Sequence, residues 1–290
     1  MSQAPEVSCL TEVASQYGRY RYLLDGAPTA VEEHWSRKPR AGGGWFIRTE
    51  RVATGVTLTV NAECEAGLVR QCQVEWLADG HEPVRAMYRN DNNVVSVVRQ
   101  LGEEPPHSQI FSADERGRLP LVLPLLRIFT GPVIKRLLNR GGEGDVLVPS
   151  IVDPQNYGTL LNPRLSQRWA TLQSQGQEIN LGGRNYLASC CAFTGDQYDD
   201  DTQFWLSEDE TLLRYVWQQP GVGTWDVRLE ELSVGCTDLS RRNCLAAPDL
   251  LVSWMYPGDV CAVNAVMVFA IKVHPFAIIH GVAEYLAGID

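Results

Sequence analysis

The sequence predicts a mainly β protein of the α+β class, in which a curved antiparallel sheet or half-barrel carries a helical insert and a C-terminal helix. The clearest indication is a run of three strands, Gly195–Leu232, in which apolar and polar residues alternate. In its middle strand, Leu213, Tyr215 and Trp217 share one face. The strand-like segments follow one another without helical periods between them. This order favours antiparallel pairing over a parallel α/β arrangement.

Seven strand-like segments precede this run in the N-terminal part of the chain. They are Arg19–Leu24, Thr29–Arg37, Trp45–Val52, Val56–Glu63, Leu68–Leu77, Val84–Arg89 and Val94–Leu101. Most are separated by turns rich in Gly or Asn, residues that adopt positive φ at low cost. The pattern is less regular from Val146 to Arg184, and strands resume at Tyr186–Thr194.

The middle of the chain, Leu119–Arg140, is apolar, contains three prolines and ends at Gly141-Gly142. We expect two short helices here, since Pro132 suits the first turn of a helix and the glycines suit its C-terminal cap. Three roles stay open for this insert: a plug that covers the core, a mobile lid over a cavity, and an interfacial contact with a membrane. The composition favours the plug.

We expect residues 1–235 to form one antiparallel β domain with the helical insert near 119–141. Residues 236–290 form an apolar extension that we expect to pack on the same domain, with a C-terminal helix that begins near Pro275. Polar residues such as Asn264 and Lys272 interrupt the apolar run, so a membrane span is not favoured.

Composition limits the function classes. The chain has 290 residues, of which 44% are hydrophobic, and a formal net charge of -10. This charge repels nucleic-acid phosphate, so a nucleic-acid partner is not expected. The eight cysteines are not preceded by a secretory signal and do not form C-x2-C pairs. We therefore expect reduced thiols, a cytoplasmic location and no metal site.

The sequence contains no signature of a common catalytic or cofactor site. It lacks the G-x-S-x-G elbow, the H-E-x-x-H motif, the P-loop and the dinucleotide fingerprint, so no cofactor is predicted. The candidate acid–base residues are Asp201, which belongs to an acidic run before a strand, and the pair His280 and Glu284, which would share one face of a helix. For each, an ordinary structural role is the alternative.

Aromatic residues on the predicted strands are the candidate wall of a ligand site. Their rings combine a large apolar area with a polar atom that orients a ligand. The candidates are Trp205, Tyr215, Trp217, Tyr22 and Trp35. Core packing is the alternative explanation for them.

The order of long strands beginning with Tyr20-Arg21-Tyr22, an apolar helical insert, and a closing FWLSEDETLLRYVW meander resembles bacterial lipoprotein-carrier-like half-barrel domains. The resemblance is one of pattern and covers roughly residues 17–232. It implies an apolar ligand, because that superfamily includes carriers of acyl chains and cofactor-free enzymes of pigment biosynthesis.

Two functions follow from this pattern, and both require a mostly apolar cavity enclosed by the sheet. The first is a cofactor-independent enzyme, of cyclase, isomerase or hydrolase type, that acts on a hydrophobic small molecule. The second is a non-catalytic carrier of a lipid-like ligand. A third hypothesis, an interaction module that presents a sheet edge, requires no cavity. The sequence predicts no oligomeric state.

Overall fold

A computed structural model describes residues 14–91, 93–196, 198 and 202–235 of the chain. In this part of the chain, fifteen strands form a single sheet. The first eight strands are β1 (Ser15–Leu24), β2 (Ala27–Pro39), β3 (Trp45–Ala53), β4 (Val56–Glu65), β5 (Leu68–Ala78), β6 (Val84–Asp91), β7 (Val94–Leu101) and β8 (His107–Ser112). The others are β9 (Leu121–Val122), β10 (Glu143–Pro149), β11 (Pro163–Leu181), β12 (Arg184–Thr194), β13 (Gln203–Leu206), β14 (Leu212–Gln219) and β15 (Gly223–Gly235).

The strand order shows that the curved sheet of the described residues does not close into a barrel. It runs from β8 back to β1, continues with β15 beside β1, and then descends to β9 at the opposite edge. All neighbours are antiparallel except β9 and β10, which are parallel. The predicted curved antiparallel sheet is confirmed, and β1–β7 correspond to the seven predicted strands. The two edges, β8 and β9, are not paired with each other.

The helical insert differs from its prediction. Instead of two helices, it contains one α-helix, α1 (Thr130–Asn139), preceded by a 3-10 turn at Arg127–Phe129. The residues before this turn cannot continue a helix because Leu125 has a positive φ of 64°. No helix in the described residues is long and apolar enough to cross a bilayer.

The core lies between the concave face of the sheet and the insert. Period-2 alternation places every second strand residue on this face, as with Leu58 and Val60 of β4, which are fully buried. From the other side, α1 buries Val133, Ile134 and Leu137, which lie on one side of the helix. The insert therefore covers the core, as the plug hypothesis requires.

A buried ionic network joins the insert to the middle of the concave face. The carboxylate of Glu33 and the guanidinium of Arg51 are fully buried and form an ion pair, with 2.8 Å between Arg51 Nη2 and Glu33 Oε2. Tyr22 donates its hydroxyl hydrogen bond to the same carboxylate oxygen at 2.7 Å. The other oxygen, Oε1, accepts a hydrogen bond from the backbone N–H of Arg127 at 2.6 Å. One carboxylate thus links two strands to the insert.

The same network holds the turn that precedes α1. Arg51 Nη2 also donates to the backbone carbonyl of Leu125, at 3.3 Å. Leu125 has a left-handed backbone conformation, which costs roughly 1–2 kcal/mol for a residue with a Cβ atom. Burial raises the pKa of Tyr22 well above its ordinary value, although Arg51 opposes the shift. Tyr22 therefore stays a hydrogen-bond donor across the physiological pH range.

The apolar extension 236–290, with its predicted C-terminal helix, lies outside the described residues. Its packing on the β domain stays a prediction.

Replacing Glu33 by Ala should destabilise the protein by about 3–5 kcal/mol, because the buried charge of Arg51 then loses its carboxylate partner. Urea unfolding followed by tryptophan fluorescence measures this change. The matched control is Glu32→Ala, since Glu32 is exposed on the opposite face of the same strand. It should change the free energy of unfolding by no more than about 0.5 kcal/mol. Equal losses in the two variants would contradict the role of the network.

Candidate functional site

A cleft opens where α1 leaves part of the concave face uncovered. It has a volume of about 240 Å³ and lies between α1, the strands β11–β13 and the turn after β13. Its apolar lining comes from both sides, the helix and the sheet. These residues are Leu138, Leu172, Leu187, Ala188, Cys191 and Leu206. Its polar lining consists of Lys135, Gln175, Gly176, Ser189, Ser207, Glu208 and Glu210.

Strand register places the apolar residues of the sheet side by side. Leu172 of β11 is opposite Cys191 of β12, and Ser189 of β12 is opposite Leu206 of β13. Side chains on paired residues share a face, so these groups form a continuous floor. Leu172 is 41% exposed and Leu187 is 70% exposed. Both leucines line the cleft, and large apolar side chains that are open to solvent are typical of binding sites.

Irregular pairing of β11 shapes the outer wall of the cleft. The register between β11 and β12 shifts twice, between Leu172 and Ser174 and between Ser174 and Gln177. Such bulges bend a strand and increase its local twist. Gly176, which lines the cleft within this stretch, has a φ of 68° that favours glycine. Beyond the bend, the tip of the β11–β12 hairpin contacts β15, where Arg184 Nη1 donates to the carbonyl of Leu232 at 2.8 Å.

The inner wall depends on a close approach between α1 and the turn after β13. A Cβ atom on Gly131 would lie 1.9 Å from the backbone oxygen of Glu210, so only glycine fits there. The turn is held by Ser207, whose Oγ accepts a hydrogen bond from the backbone N–H of Thr211 at 3.0 Å. The position of Glu208 and Glu210 at the mouth of the cleft follows from these contacts.

The chemistry of the floor is that of an inert apolar surface. Burial raises the pKa of the Cys191 thiol to about 11, with a further increase from Cys190 and a small opposing effect of Lys135. At neutral pH this thiol is protonated, so it is not a nucleophile. The charged groups Lys135, Glu208 and Glu210 lie at the mouth instead.

The five predicted aromatic residues do not line this cleft. Tyr22, Trp35, Tyr215 and Trp217 are buried among the core residues of the concave face. Trp205 lies between two residues that point to the concave face. Its own indole N–H donates to Gln177 Oε1 at 2.8 Å. The guanidinium of Arg214 lies 5.2 Å from its ring centre. The role of these five residues as the wall of a ligand site stays a prediction.

The predicted acid–base residues Asp201, His280 and Glu284 lie outside the described residues, so their role stays a prediction. Sequence reasoning did not find the residues of the cleft. Most of them belong to β11, the start of β12 and the turn after β13, where polar residues dominate and alternation is weak. A signal was present in Leu172 and Leu187, which are large apolar residues isolated in polar surroundings.

Replacing Gly131 by Ala should destabilise the protein by about 1–3 kcal/mol, because the added methyl group forces α1 away from the turn at Glu210. Helix propensity alone predicts the opposite sign, a gain of up to about 1 kcal/mol. Urea unfolding distinguishes the two outcomes.

Asn139→Ala is the matched control for this prediction, since Asn139 is an exposed residue at the end of the same helix. It should leave stability unchanged or raise it by about 0.5 kcal/mol. A stabilised Gly131→Ala variant would show that the close approach does not limit the position of α1.

No protein-family model matches the chain, and no curated protein matches it. Among solved structures, the chain is similar to the crystal structure of a β-barrel-like protein of Domain of Unknown Function DUF1849 from Brucella abortus. The two share 9% sequence identity, with a TM-score of 0.48, and the match covers 78% of this chain and 99% of the other. At this identity, the similarity transfers no function to the present chain.

Proposed function

We propose that the protein binds an apolar or amphiphilic small molecule whose hydrocarbon part occupies the cleft between α1 and β11–β13. The observation that carries this proposal is the apolar lining of the cleft, to which the exposed Leu187 and Leu172 and the buried Leu206 all contribute. Covering such a surface removes apolar area from water, worth about 25 cal/mol per Å².

The volume of the cleft limits the ligand. Typical small-molecule sites measure roughly 300–1,000 Å³, whereas this cleft holds about 240 Å³. A single hydrocarbon chain or one ring fits this space better than a large polycyclic molecule. The charged residues at the mouth, Lys135, Glu208 and Glu210, are suited to a polar head group that stays in contact with water.

Binding without catalysis is the function that the described residues support best. A catalytic site needs a proton-transfer group or nucleophile close to the reacting atoms. At the floor of the cleft, the described side chains are apolar apart from Ser189 and the protonated thiol of Cys191. This favours the carrier over the cofactor-independent enzyme, and it agrees with the resemblance to lipoprotein-carrier-like half-barrels. The enzyme hypothesis, as the sequence predicts it, places Asp201, His280 or Glu284 at the cleft.

The remaining features of the proposal concern the environment of the protein. A cytoplasmic location agrees with the four described cysteines, Cys64, Cys72, Cys190 and Cys191, all of which are free and buried. The net charge of -10 disfavours nucleic acid as a partner. The proposed function requires no cofactor.

A fluorescent fatty acid tests this function. Titration of the full chain with dansyl-labelled undecanoic acid should give saturable binding, and Leu187→Asp should weaken that binding about tenfold or more. The reason is the loss of an apolar contact worth about 1.5–3 kcal/mol, where 1.4 kcal/mol corresponds to a factor of ten in affinity.

Two variants serve as controls. Leu77→Asp places the same charge at an exposed leucine of β5 that does not line the cleft, and should leave binding unchanged. Leu187→Met keeps an apolar side chain and should retain binding. Absence of saturable binding, or equal losses in Leu187→Asp and Leu77→Asp, would contradict the proposed site.

Native mass spectrometry of the freshly purified protein, followed by denaturation, separates the two functions. A released apolar compound that the protein leaves chemically unchanged on prolonged incubation indicates a carrier. Conversion of that compound, lost on substitution of Asp201, His280 or Glu284, would establish the enzyme in its place.

A further inference from the structure

Within the described residues, one edge of the sheet is a regular strand without a second partner. The edge strand β8 pairs with β7 on one side only, and the pairing is regular over six residue pairs from Val94–Ser112 to Arg99–His107. Five of its six residues are exposed. At the other edge, β9 has two residues, Leu121 and Val122, which are both buried. Within the described residues, β8 is therefore the strand whose outer backbone groups are accessible to another chain.

Edge strands of monomeric proteins commonly carry devices that prevent pairing, such as charged side chains, proline or a bulge. β8 has the sequence HSQIFS, without Lys, Arg, Asp, Glu or Pro, and its pairing with β7 shows no bulge. Pro105 and Pro106 come immediately before it and set its start. In the described part of the chain, the outer side of the strand can therefore accept a partner.

The side chains of β8 are arranged symmetrically about Ile110. Ser108 and Ser112 lie two residues to either side of it, and Gln109 and Phe111 are its immediate neighbours. An antiparallel pair of identical strands centred on Ile110 places Ile110 opposite itself, each Ser108 opposite a Ser112, and each Gln109 opposite a Phe111. These are apolar pairs, hydroxyl pairs and pairs in which an amide side chain covers a ring, and none joins like charges.

The convex face next to this edge carries exposed apolar side chains. Pairing of two β8 strands would extend this apolar surface across both copies. Ile110 is 69% exposed, and Val98 and Met87 are each 39% exposed. Val98 is paired with Met87 and lies diagonally to Ile110, so the three form a row that ends at the edge. A two-fold axis through Ile110 would place this row beside the same row of the second copy. Ile110, its most exposed residue, would then be covered.

We propose that β8 is a homodimer interface, in which the β8 strands of two copies of this chain pair antiparallel about a two-fold axis through Ile110. The partner is a second copy because the open backbone edge requires a β-strand, and the symmetric order of side chains in β8 is complementary to itself. The interface is independent of the cleft and of the ligand proposed for it.

Sedimentation of the full chain tests the interface directly. A contact of one short strand pair is small, and interfaces below about 1,200 Å² are typically weak, so the concentration series should extend from about 1 to about 200 μM. The parent chain should shift from monomer to dimer within this range. A chain that stays monomeric throughout, for example because another segment of the same chain covers β8, overturns the proposal.

Ile110→Lys tests the centre of the contact. It places two ammonium groups opposite each other and removes the central apolar pair, so the dissociation constant should rise about a hundredfold or more. Val234→Lys introduces the same charge at a comparably exposed residue of β15, which is not an edge strand, and should change the constant less than about twofold. Equal effects of the two variants, or a dimer unaffected by Ile110→Lys, overturn the proposal.

A cross-linking experiment gives a readout that does not depend on disrupting the contact. Residues directly opposite in an antiparallel pair have Cα atoms about 4.5–5.5 Å apart, which lies within the range of about 4.4–6.8 Å found for disulfides. Under mild oxidation, Ile110→Cys should therefore give a covalent dimer above the level of the parent chain, whereas Gln109→Cys should give much less. Preferential cross-linking of Gln109→Cys would overturn the register centred on Ile110.

Discussion

The structure depends on one buried carboxylate. Glu33 lies in the middle of a concave apolar face, where an isolated charge would be strongly unfavourable, and it accepts hydrogen bonds from Tyr22, Arg51 and the backbone of Arg127. Two of these donors belong to the sheet and one to the insert. The insert therefore both covers the core and supplies one of the donors that satisfy the buried charge. A purely apolar face would leave the position of the insert less well defined.

The fold was easier to predict from the sequence than the site. Alternation identified β1–β7 because each of these strands has one buried and one solvated face, as Leu58 and Val60 illustrate. It could not identify β11, in which eight consecutive residues from Thr171 to Glu178 are exposed. Their pairing with β12 is determined by the neighbouring strand and by bulges rather than by a period in the sequence. Tertiary context decides such segments.

The aromatic residues show the same limit. Large rings on strands indicate burial, but burial in a packed core and burial against a ligand have the same sequence pattern. Here Phe193, Tyr198, Phe204, Tyr215 and Trp217 contact one another at centroid distances of 5.3–5.9 Å. These rings pack against one another on the concave face. The opening is displaced to the side of α1, where smaller aliphatic residues line it.

The covered core and the open cleft both follow from the position of the insert on the concave face. The network at Glu33 holds the turn at Arg127–Phe129, and the close approach of Gly131 to the Glu210 carbonyl sets the position of the start of α1. From these two points, α1 extends across the face for ten residues, about 15 Å, which is shorter than the fifteen-stranded sheet is wide. Leu206 and Cys191 are buried at the floor of the cleft, whereas Leu172 of β11 and Leu187 of β12 stay exposed beside the helix. A ligand in the cleft would complete the cover that the insert begins, so ligand binding should stabilise the same concave face that Glu33 organises.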